Sequence, residues 1–114
     1  MSRLWYVNTA VHLWRFYFRF RNANPESMSD ADRLNWQACD RAARKFTDRE
    51  LECLRQYYLT GYGNYEDMRA VEKYVIEHGL NRSDAWDIVK RANYTVIIER
   101  GLMDPKEGDV SGSE

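Results

Sequence analysis

The chain has 114 residues, 44% hydrophobic and 14% aromatic, which is enough for one packed domain and too few for two cores of ordinary size. The formal net charge of −1 excludes an overall electrostatic attraction to nucleic acid, so any such attraction must come from local segregation of charge. Residues 1–21 carry four arginines and no acid, whereas residues 104–114 carry four acids and one lysine.

The first twenty residues form an amphipathic pattern rather than a membrane segment. Polar residues interrupt every apolar run, and no small-residue cleavage site follows, so we expect neither a signal peptide nor a membrane span, and a cytoplasmic protein. An apolar stripe at spacings of three and four predicts a helix over residues 3–21, made by Leu4, Val7, Val11, Trp14 and Phe18. The phenylalanines at 16, 18 and 20 alternate with arginines, as in a strand. We predict the helix because the stripe is longer and no turn signal breaks it.

Seven large rings between residues 5 and 20 are too many for one stripe of one helix. We therefore expect this helix to pack on the domain and, through its remaining aromatic face, on a second copy of the chain, giving a homodimer. The alternative is a groove within one chain that covers the ring edges.

Capping signals predict the next two helices. Ser29 caps a helix whose buried stripe consists of Leu34, Ala38, Ala42 and Phe46. Thr47 and Glu50 form a capping box, so another helix begins at about Asp48 and buries Leu51, Leu54 and Tyr58. The glycines and polar residues of 61–64 end that helix.

The remaining elements predict a helix-turn-helix. A helix over residues 65–78 ends at Gly79, which takes the left-handed conformation at no side-chain cost. Asn81 or Ser83 then caps a last helix that runs to about Arg100 and stops at Gly101. Its buried stripe consists of Ala85, Ile88, Val89, Ala92, Val96 and Ile97.

The sequence thus predicts an all-α fold of about five helices in one domain over residues 1–102. The helix-turn-helix occupies about 66–100, and residues 103–114 form a disordered acidic tail, because their composition cannot bury a core.

Residues 46–98, with F-T-D-R-E-L-E-C-L-R-Q-Y-Y-L before the turn, resemble region 4 of the sigma factors, as found in short phage transcriptional regulators. In that family a capped helix that opens T-x-x-E precedes a helix-turn-helix that contacts DNA. The resemblance covers about half of the chain. It implies double-stranded DNA as the partner and a role in transcription regulation, in a phage or another mobile element.

On such a recognition helix the outward residues are Asn81, Arg82, Ser83, Trp86, Asp87, Lys90 and Arg91. Arg82 suits a guanine edge, Asn81 an adenine edge, and Ser83 a phosphate near the helix start. Lys90 and Arg91, with Arg69 and Lys73, suit phosphate contacts that position the protein without selecting sequence. Asp84 and Asp87 oppose the phosphates; the alternative assigns both acids to helix-start electrostatics and lets Trp86 be buried.

The alternative function is a protein-interaction module that uses the same helix-turn-helix to bind or inhibit a host nucleoprotein machine such as RNA polymerase. An enzyme is not expected, since the sequence has no recognisable nucleophile setting and no Gly-rich phosphate loop. We expect Cys39 and Cys53 to be buried thiols. With His12 and His78 they match no common zinc spacing, so we predict neither metal nor cofactor.

Overall fold

The computed structural model describes residues 5–60, 77, 79 and 81–103, with the side chains of residues 60 and 82 excepted. This part is helical and has no strand, which confirms the all-α class. Its helices are α1 (Val7–Arg19), α2 (Asp30–Ala43), α3 (Asp48–Thr60) and α4 (Arg82–Glu99), and a 3₁₀ turn, Pro25–Ser27, precedes α2. None of the described helices is long and apolar enough to cross a membrane.

Parts of the predicted organisation lie outside the described residues. They are the loop at 61–64, nearly all of the helix predicted at 65–78, and the tail from residue 104. Within that predicted helix, Glu77 is helical and exposed.

Helix α1 confirms the helical alternative for the first segment. Val7, Val11, Trp14 and Phe18 are all buried on one side, as the spacing of three and four predicts. Phe20 is 49% exposed, whereas Phe18 is 6% exposed, so the phenylalanines at even positions do not share a face as they would in a strand.

Trp14 joins α1 to the rest of the core. It is fully buried, and its indole Nε1 donates a hydrogen bond to the Ala92 carbonyl of α4 over 3.0 Å. Its ring stacks on Phe18, with centroids 5.5 Å apart, and on Tyr58 of α3, with centroids 6.1 Å apart. Phe46, in the connection between α2 and α3, meets the same ring edge-on. One side chain therefore contacts α3, α4 and the α2–α3 connection.

Two polar groups are buried beside Trp14. The Tyr58 hydroxyl donates to Oδ1 of Asn93, which satisfies a hydroxyl whose burial would otherwise be unfavourable. Burial, followed by the proximity of Tyr57, raises the pKa of Tyr58 well above its usual range, so the hydroxyl stays protonated.

The two cysteines are free and buried, as predicted. The Cys39 thiol donates to the Leu13 carbonyl over 3.4 Å, and burial raises its pKa. Burial also raises the pKa of Cys53 to about 11. Neither thiol is therefore activated as a nucleophile. The described residues contain no group of three or more His, Cys, Asp or Glu side chains placed to hold a metal ion.

Helix α2 begins at the predicted cap, because the Asp32 amide donates to Ser29 Oγ over 3.2 Å. Ala38, Ala42 and Phe46 are buried as predicted, but Leu34 is 51% exposed, and its predicted burial is wrong. Residues four apart rotate about 40° per step around a helix of 3.6 residues per turn, so a row of such residues drifts off the buried face. Here the drift takes Leu34 out of the core.

Helix α1 packs on α2 through polar as well as apolar contacts. The Trp36 indole donates to the Phe20 carbonyl over 3.0 Å, and the Tyr17 hydroxyl donates to Asp40 Oδ1 over 3.0 Å. Burial, followed by the hydrogen bond to Asp40, raises the pKa of Tyr17 to about 12. Asp40 also forms an ion pair with Arg44 of the next helical turn, over 2.9 Å.

The capping box at the start of α3 is confirmed in both directions. The Thr47 amide donates to Glu50 Oε1 over 2.9 Å, and the Glu50 amide donates to Thr47 Oγ1 over 3.1 Å. The helix then begins at Asp48, and Leu51 and Leu54 are buried as the predicted stripe requires.

Both ends of α4 carry the predicted signals. At its start the Asp84 amide donates to Asn81 Oδ1 over 2.8 Å. At its end Gly101 has φ +82°, and the amides of Gly101 and Leu102 donate to the carbonyls of Ile98 and Ile97, the pattern of a Schellman cap. The predicted stripe is buried throughout, at Ala85, Ile88, Val89, Ala92, Val96 and Ile97.

Replacing Trp14 by alanine should lower the free energy of unfolding by about 3 to 5 kcal/mol, because the change removes a fully buried ring and the indole bond to Ala92. Trp5, which is 65% exposed, is the matched control, and Trp5→Ala should stay within about 0.5 kcal/mol. Urea unfolding followed by circular dichroism measures both. Equal losses from the two variants would contradict the central position of Trp14.

Gly79 has φ +72°, the positive angle that the sequence predicts, and beyond its chain neighbours no atom of the described residues lies within 4 Å of the position that a Cβ would take. Gly79→Val should therefore destabilise through backbone strain alone, by about 1 kcal/mol or more, while Gly79→Asn should be much milder. Thermal unfolding measures the loss of stability of each variant, and a larger loss for valine than for asparagine would indicate backbone strain. Similar losses for both would argue against the left-handed turn.

Candidate nucleic-acid interface

Helix α4 exposes described side chains only in its amino-terminal half, on the side opposite the buried Ala85 and Val89. The described side chains of residues 81–91 include six that are exposed, whereas none from Ala92 to Arg100 is exposed. The exposed residues are Asn81, Ser83, Asp84, Asp87, Lys90 and Arg91. The carboxyl-terminal half is enclosed by α1 and α2, and the amino-terminal half is the part available to a partner.

Two small residues set the rotation of α4 about its axis. Ala85 and Ala92 are fully buried, and between them Val89 is fully buried as well, so this side of the helix faces the core. With 3.6 residues per turn, Ser83 and Lys90 then lie on the outer side. Both are exposed, as their prediction as binding residues requires.

Three of the predicted binding residues are constrained by their surroundings. Asn81 is exposed, but its amide oxygen already accepts the Asp84 amide as the helix cap. Bidentate recognition of adenine needs that oxygen, so it would compete with capping. Trp86 is half-buried and packs against the core. Asp87 is exposed and lies 3.9 Å from the Lys90 ammonium group.

Arg82 begins α4, but its side chain lies outside the described part of the structure. Arg69 and Lys73, the predicted phosphate contacts on the preceding helix, also lie outside it.

Arg91 turns towards α3. Its Nη2 donates to Glu50 Oε2 over 3.1 Å, and its guanidinium lies 5.0 Å from the centre of the Phe46 ring. Both contacts hold the side chain against the start of α3, although it remains exposed. Release from Glu50 would be needed before this arginine could pair fully with a phosphate.

A cleft of about 390 Å³ separates the start of α3 from the amino-terminal half of α4. Its lining includes Arg49 and Glu50, which the sequence did not predict as part of this surface. The contact between Glu50 and Arg91 spans 41 residues, so local patterns carry no signal for it. The lining residues are Thr47, Arg49, Glu50, Asp84, Asp87, Ile88 and Arg91.

Glu50 anchors one side of this cleft. Its partial burial acts to raise the pKa of the carboxyl group, but the hydrogen bonds from the Thr47 amide and from Arg91 outweigh that effect and lower the pKa below its usual value. The carboxylate is therefore ionised at neutral pH and holds Arg91 beside Phe46.

The lowered pKa of Glu50 gives a pH test of this arrangement. A carboxyl group whose pKa is lower in the folded state contributes stability above its unfolded pKa, here 4.5, and loses it as the pH falls through the folded value. The stability advantage of the wild type over Glu50→Gln should therefore be full at pH 7 and should decline below pH 4.5. Urea unfolding at several pH values measures it.

Arg91→Gln supplies the control for that experiment. In the Arg91→Gln background the Glu50→Gln substitution should cost less stability, because one of the two partners of the carboxylate is already absent. An unchanged cost would mean that the Glu50 to Arg91 contact contributes nothing in solution.

The cleft and the outer side of α4 together carry balanced charge. The described cations are Arg49, Lys90 and Arg91, and the described acids are Glu50, Asp84 and Asp87. Comparison with protein-family models, with curated proteins and with solved structures finds no match to this chain.

Proposed function

We propose that the chain is a sequence-specific DNA-binding regulator of transcription, without enzymatic activity, and that the amino-terminal half of α4 is its recognition element. The observation that supports this proposal is the asymmetry of α4. The half that follows the Gly79 turn and the Asn81 cap presents exposed polar side chains on its outer side, whereas no side chain from Ala92 to Arg100 is exposed. An exposed, capped helix half is the element that enters a major groove in helix-turn-helix proteins.

The finer architecture of the proposal is a helix-turn-helix over about 66–100, similar to sigma region 4. Two described features support it, namely the helical state of Glu77 and the positive φ of Gly79 immediately before the Asn81 cap. A helix, a left-handed glycine and a capped second helix are the parts that such a turn requires.

Within this proposal the outward residues of α4 have separate roles. Lys90 contacts a phosphate and contributes affinity without selecting sequence. Arg82 contacts a guanine edge, and Asp87, an acceptor, suits the amino group of cytosine. Asp84 lies in the first turn, where a negative charge stabilises the helix start. Its carboxylate also repels DNA phosphates that approach this turn.

A protein partner on the same surface is the second candidate, and the balanced charge of the cleft favours it. A surface with three described acids beside three cations has little net electrostatic attraction to a polyanion such as DNA. It can instead pair with a protein of mixed charge, such as RNA polymerase or another nucleoprotein component. The half-buried Trp86 on its border is a residue type enriched in protein-binding hot spots.

Fluorescence anisotropy with duplexes from the DNA that flanks the gene of this chain tests the proposal. Lys90→Ala should weaken binding to all sequences alike and reduce the salt slope by about one, because each phosphate contact contributes about 0.9 to it. Arg82→Ala should instead relax the preference at one base position. Lys45→Ala is the matched control, because Lys45 pairs with Glu99 at the other end of α4 and should leave DNA binding unchanged.

Failure to bind any duplex at low salt, by a protein that circular dichroism shows to be folded, would reject DNA as the partner. Binding to purified RNA polymerase that is lost on Trp86→Ala would then support the second candidate.

A further inference from the structure

A second concave surface lies at the opposite end of α4. It is a groove of about 310 Å³ between α1, the first turns of α2 and the end of α4, here called the α1 groove. Its lining combines apolar walls with a histidine, an amide and a guanidinium. The lining residues are Thr9, His12, Leu13, Phe16, Asn35, Arg100 and Leu102.

Exposed apolar side chains border this groove. Leu102 is 45% exposed, and Phe16 contacts Phe20, with ring centroids 5.2 Å apart and Phe20 49% exposed. The apolar surface thus runs from the groove along the outward side of α1. Apolar patches with a polar rim mark interaction sites.

Charge is unevenly distributed around the groove. The described part of α1 and the loop after it, up to the 3₁₀ turn, contain arginines and no acid, whereas the first turn of α2, on the other wall, carries Asp30 and Asp32. Asp30 is paired with Arg33, and Arg19, exposed on α1, forms no ion pair with a described carboxylate. The α1 side of the groove is therefore positive, and a partner that contacts this side should carry negative charge.

Arg100 differs from the arginines that pair within the fold. Arg41 contacts Glu99, Arg44 contacts Asp40, and Arg91 contacts Glu50. Arg100 instead donates from Nε to the neutral amide oxygen of Asn35 over 2.7 Å, and within the described residues it contacts no carboxylate.

The partner of Arg100 determines what the arginine can bind. Asn35 fixes the orientation of the guanidinium but, being neutral, does not compensate its charge, and no described carboxylate contacts it. The side chain is only partly exposed at the groove. A guanidinium held in this way can donate hydrogen bonds from its remaining N–H groups to a carboxylate. This paired geometry is the reason that arginine is a preferred carboxylate-binding residue.

We propose that the α1 groove binds an acidic, amphipathic segment of another protein. An apolar side chain of that segment fills the groove between Phe16 and Leu102, a carboxylate pairs with Arg100, and further acids face Arg19 and His12. The inference is independent of the proposed DNA binding, because it concerns the opposite end of α4.

The same observations favour this partner over two others. A second copy that paired through α1 would place arginines against arginines across a symmetric interface. An anionic membrane presents a broad flat surface, which does not match the concave shape of the groove. A protein segment can both enter the groove and supply the carboxylate.

The probe is a fluorescein-labelled helical peptide of about 16 residues, with leucines at helical spacing on one face and glutamates beside them. Two matched peptides carry glutamine or lysine in place of glutamate. The glutamate peptide should bind the full chain with a Kd of about 100 μM or tighter. The glutamine peptide should bind about tenfold or more weakly, and the lysine peptide should not bind.

Asn35→Asp is the most informative variant, because it supplies an internal carboxylate to Arg100. It should weaken binding of the glutamate peptide about tenfold while leaving the chain at least as stable as the wild type, a result that simple damage to the fold would not give. Arg100→Gln and Phe20→Ala should also weaken binding. Their matched controls, Arg44→Gln and Leu34→Ala, alter an arginine paired with Asp40 and an exposed leucine on α2, and should leave binding unchanged.

Several results would overturn the proposal. They are equal binding of the three peptides, no effect of Asn35→Asp, or no binding at 1 mM peptide, about the weakest affinity that such a contact would represent. Binding to phosphatidylserine vesicles but to no peptide would indicate a membrane surface instead. A mass that rises with concentration in light scattering and falls on Phe20→Glu would assign the groove to a second copy of the chain.

Discussion

The hydrogen bond from Trp14 to the Ala92 carbonyl is the constraint on which the arrangement of the helices depends. A buried indole N–H needs an acceptor, and the small side chain at 92 lets the ring approach the backbone of α4 closely enough to find one. This contact fixes α4 both along and around its axis. The positions of Ser83 and Lys90 on the outer side, and of Arg100 beside α1, therefore depend on Trp14, which is distant from all three in the sequence.

Ion pairs then join α4 to its neighbours at its carboxyl-terminal end and near its middle. Glu99 accepts from Arg41 over 3.0 Å and lies 3.1 Å from Lys45, and these contacts lower its pKa, with Arg41 the larger cause. Arg91 with Glu50 joins the middle of α4 to the start of α3. Exposed pairs of this kind each contribute little to stability, but they orient side chains. A cation without an acid partner in the described part of the chain, such as Arg100, is therefore more informative about external partners.

The sequence predicted the features that depend on local chemistry. The caps at Ser29 and Asn81, the capping box at Thr47 and the stop at Gly101 all depend on atoms within a few residues of one another, and all are present. The buried stripe of α4 was predicted residue by residue. The predicted burial of Leu34 was wrong because a row of residues four apart does not run parallel to the helix axis. Periodicity alone therefore does not show where such a row leaves the core.

The candidate site was less predictable because its decisive contacts are distant in sequence. Helical spacing placed Arg91 on the outer surface, where it is exposed, but only the packing of α3 on α4 brings Glu50 within reach of it. The contact between Asn35 and Arg100 joins positions 65 residues apart, and no local pattern indicates it. Local patterns predicted the exposure of Arg91, and the tertiary fold supplied its partner.

The two proposed surfaces share one rigid element. Helix α4 has 18 residues and is therefore about 27 Å long, with Ser83 and Lys90 in its amino-terminal half and Arg100 just beyond its other end. Since the carboxyl-terminal half is packed against α1 and α2, the helix cannot rotate to present one surface at the expense of the other. DNA at the first surface and an acidic protein segment in the α1 groove would therefore occupy different faces and would not exclude each other. On the two proposals together, the chain would hold a protein partner at a fixed distance and orientation from DNA, which is the geometry that recruitment to a DNA site requires.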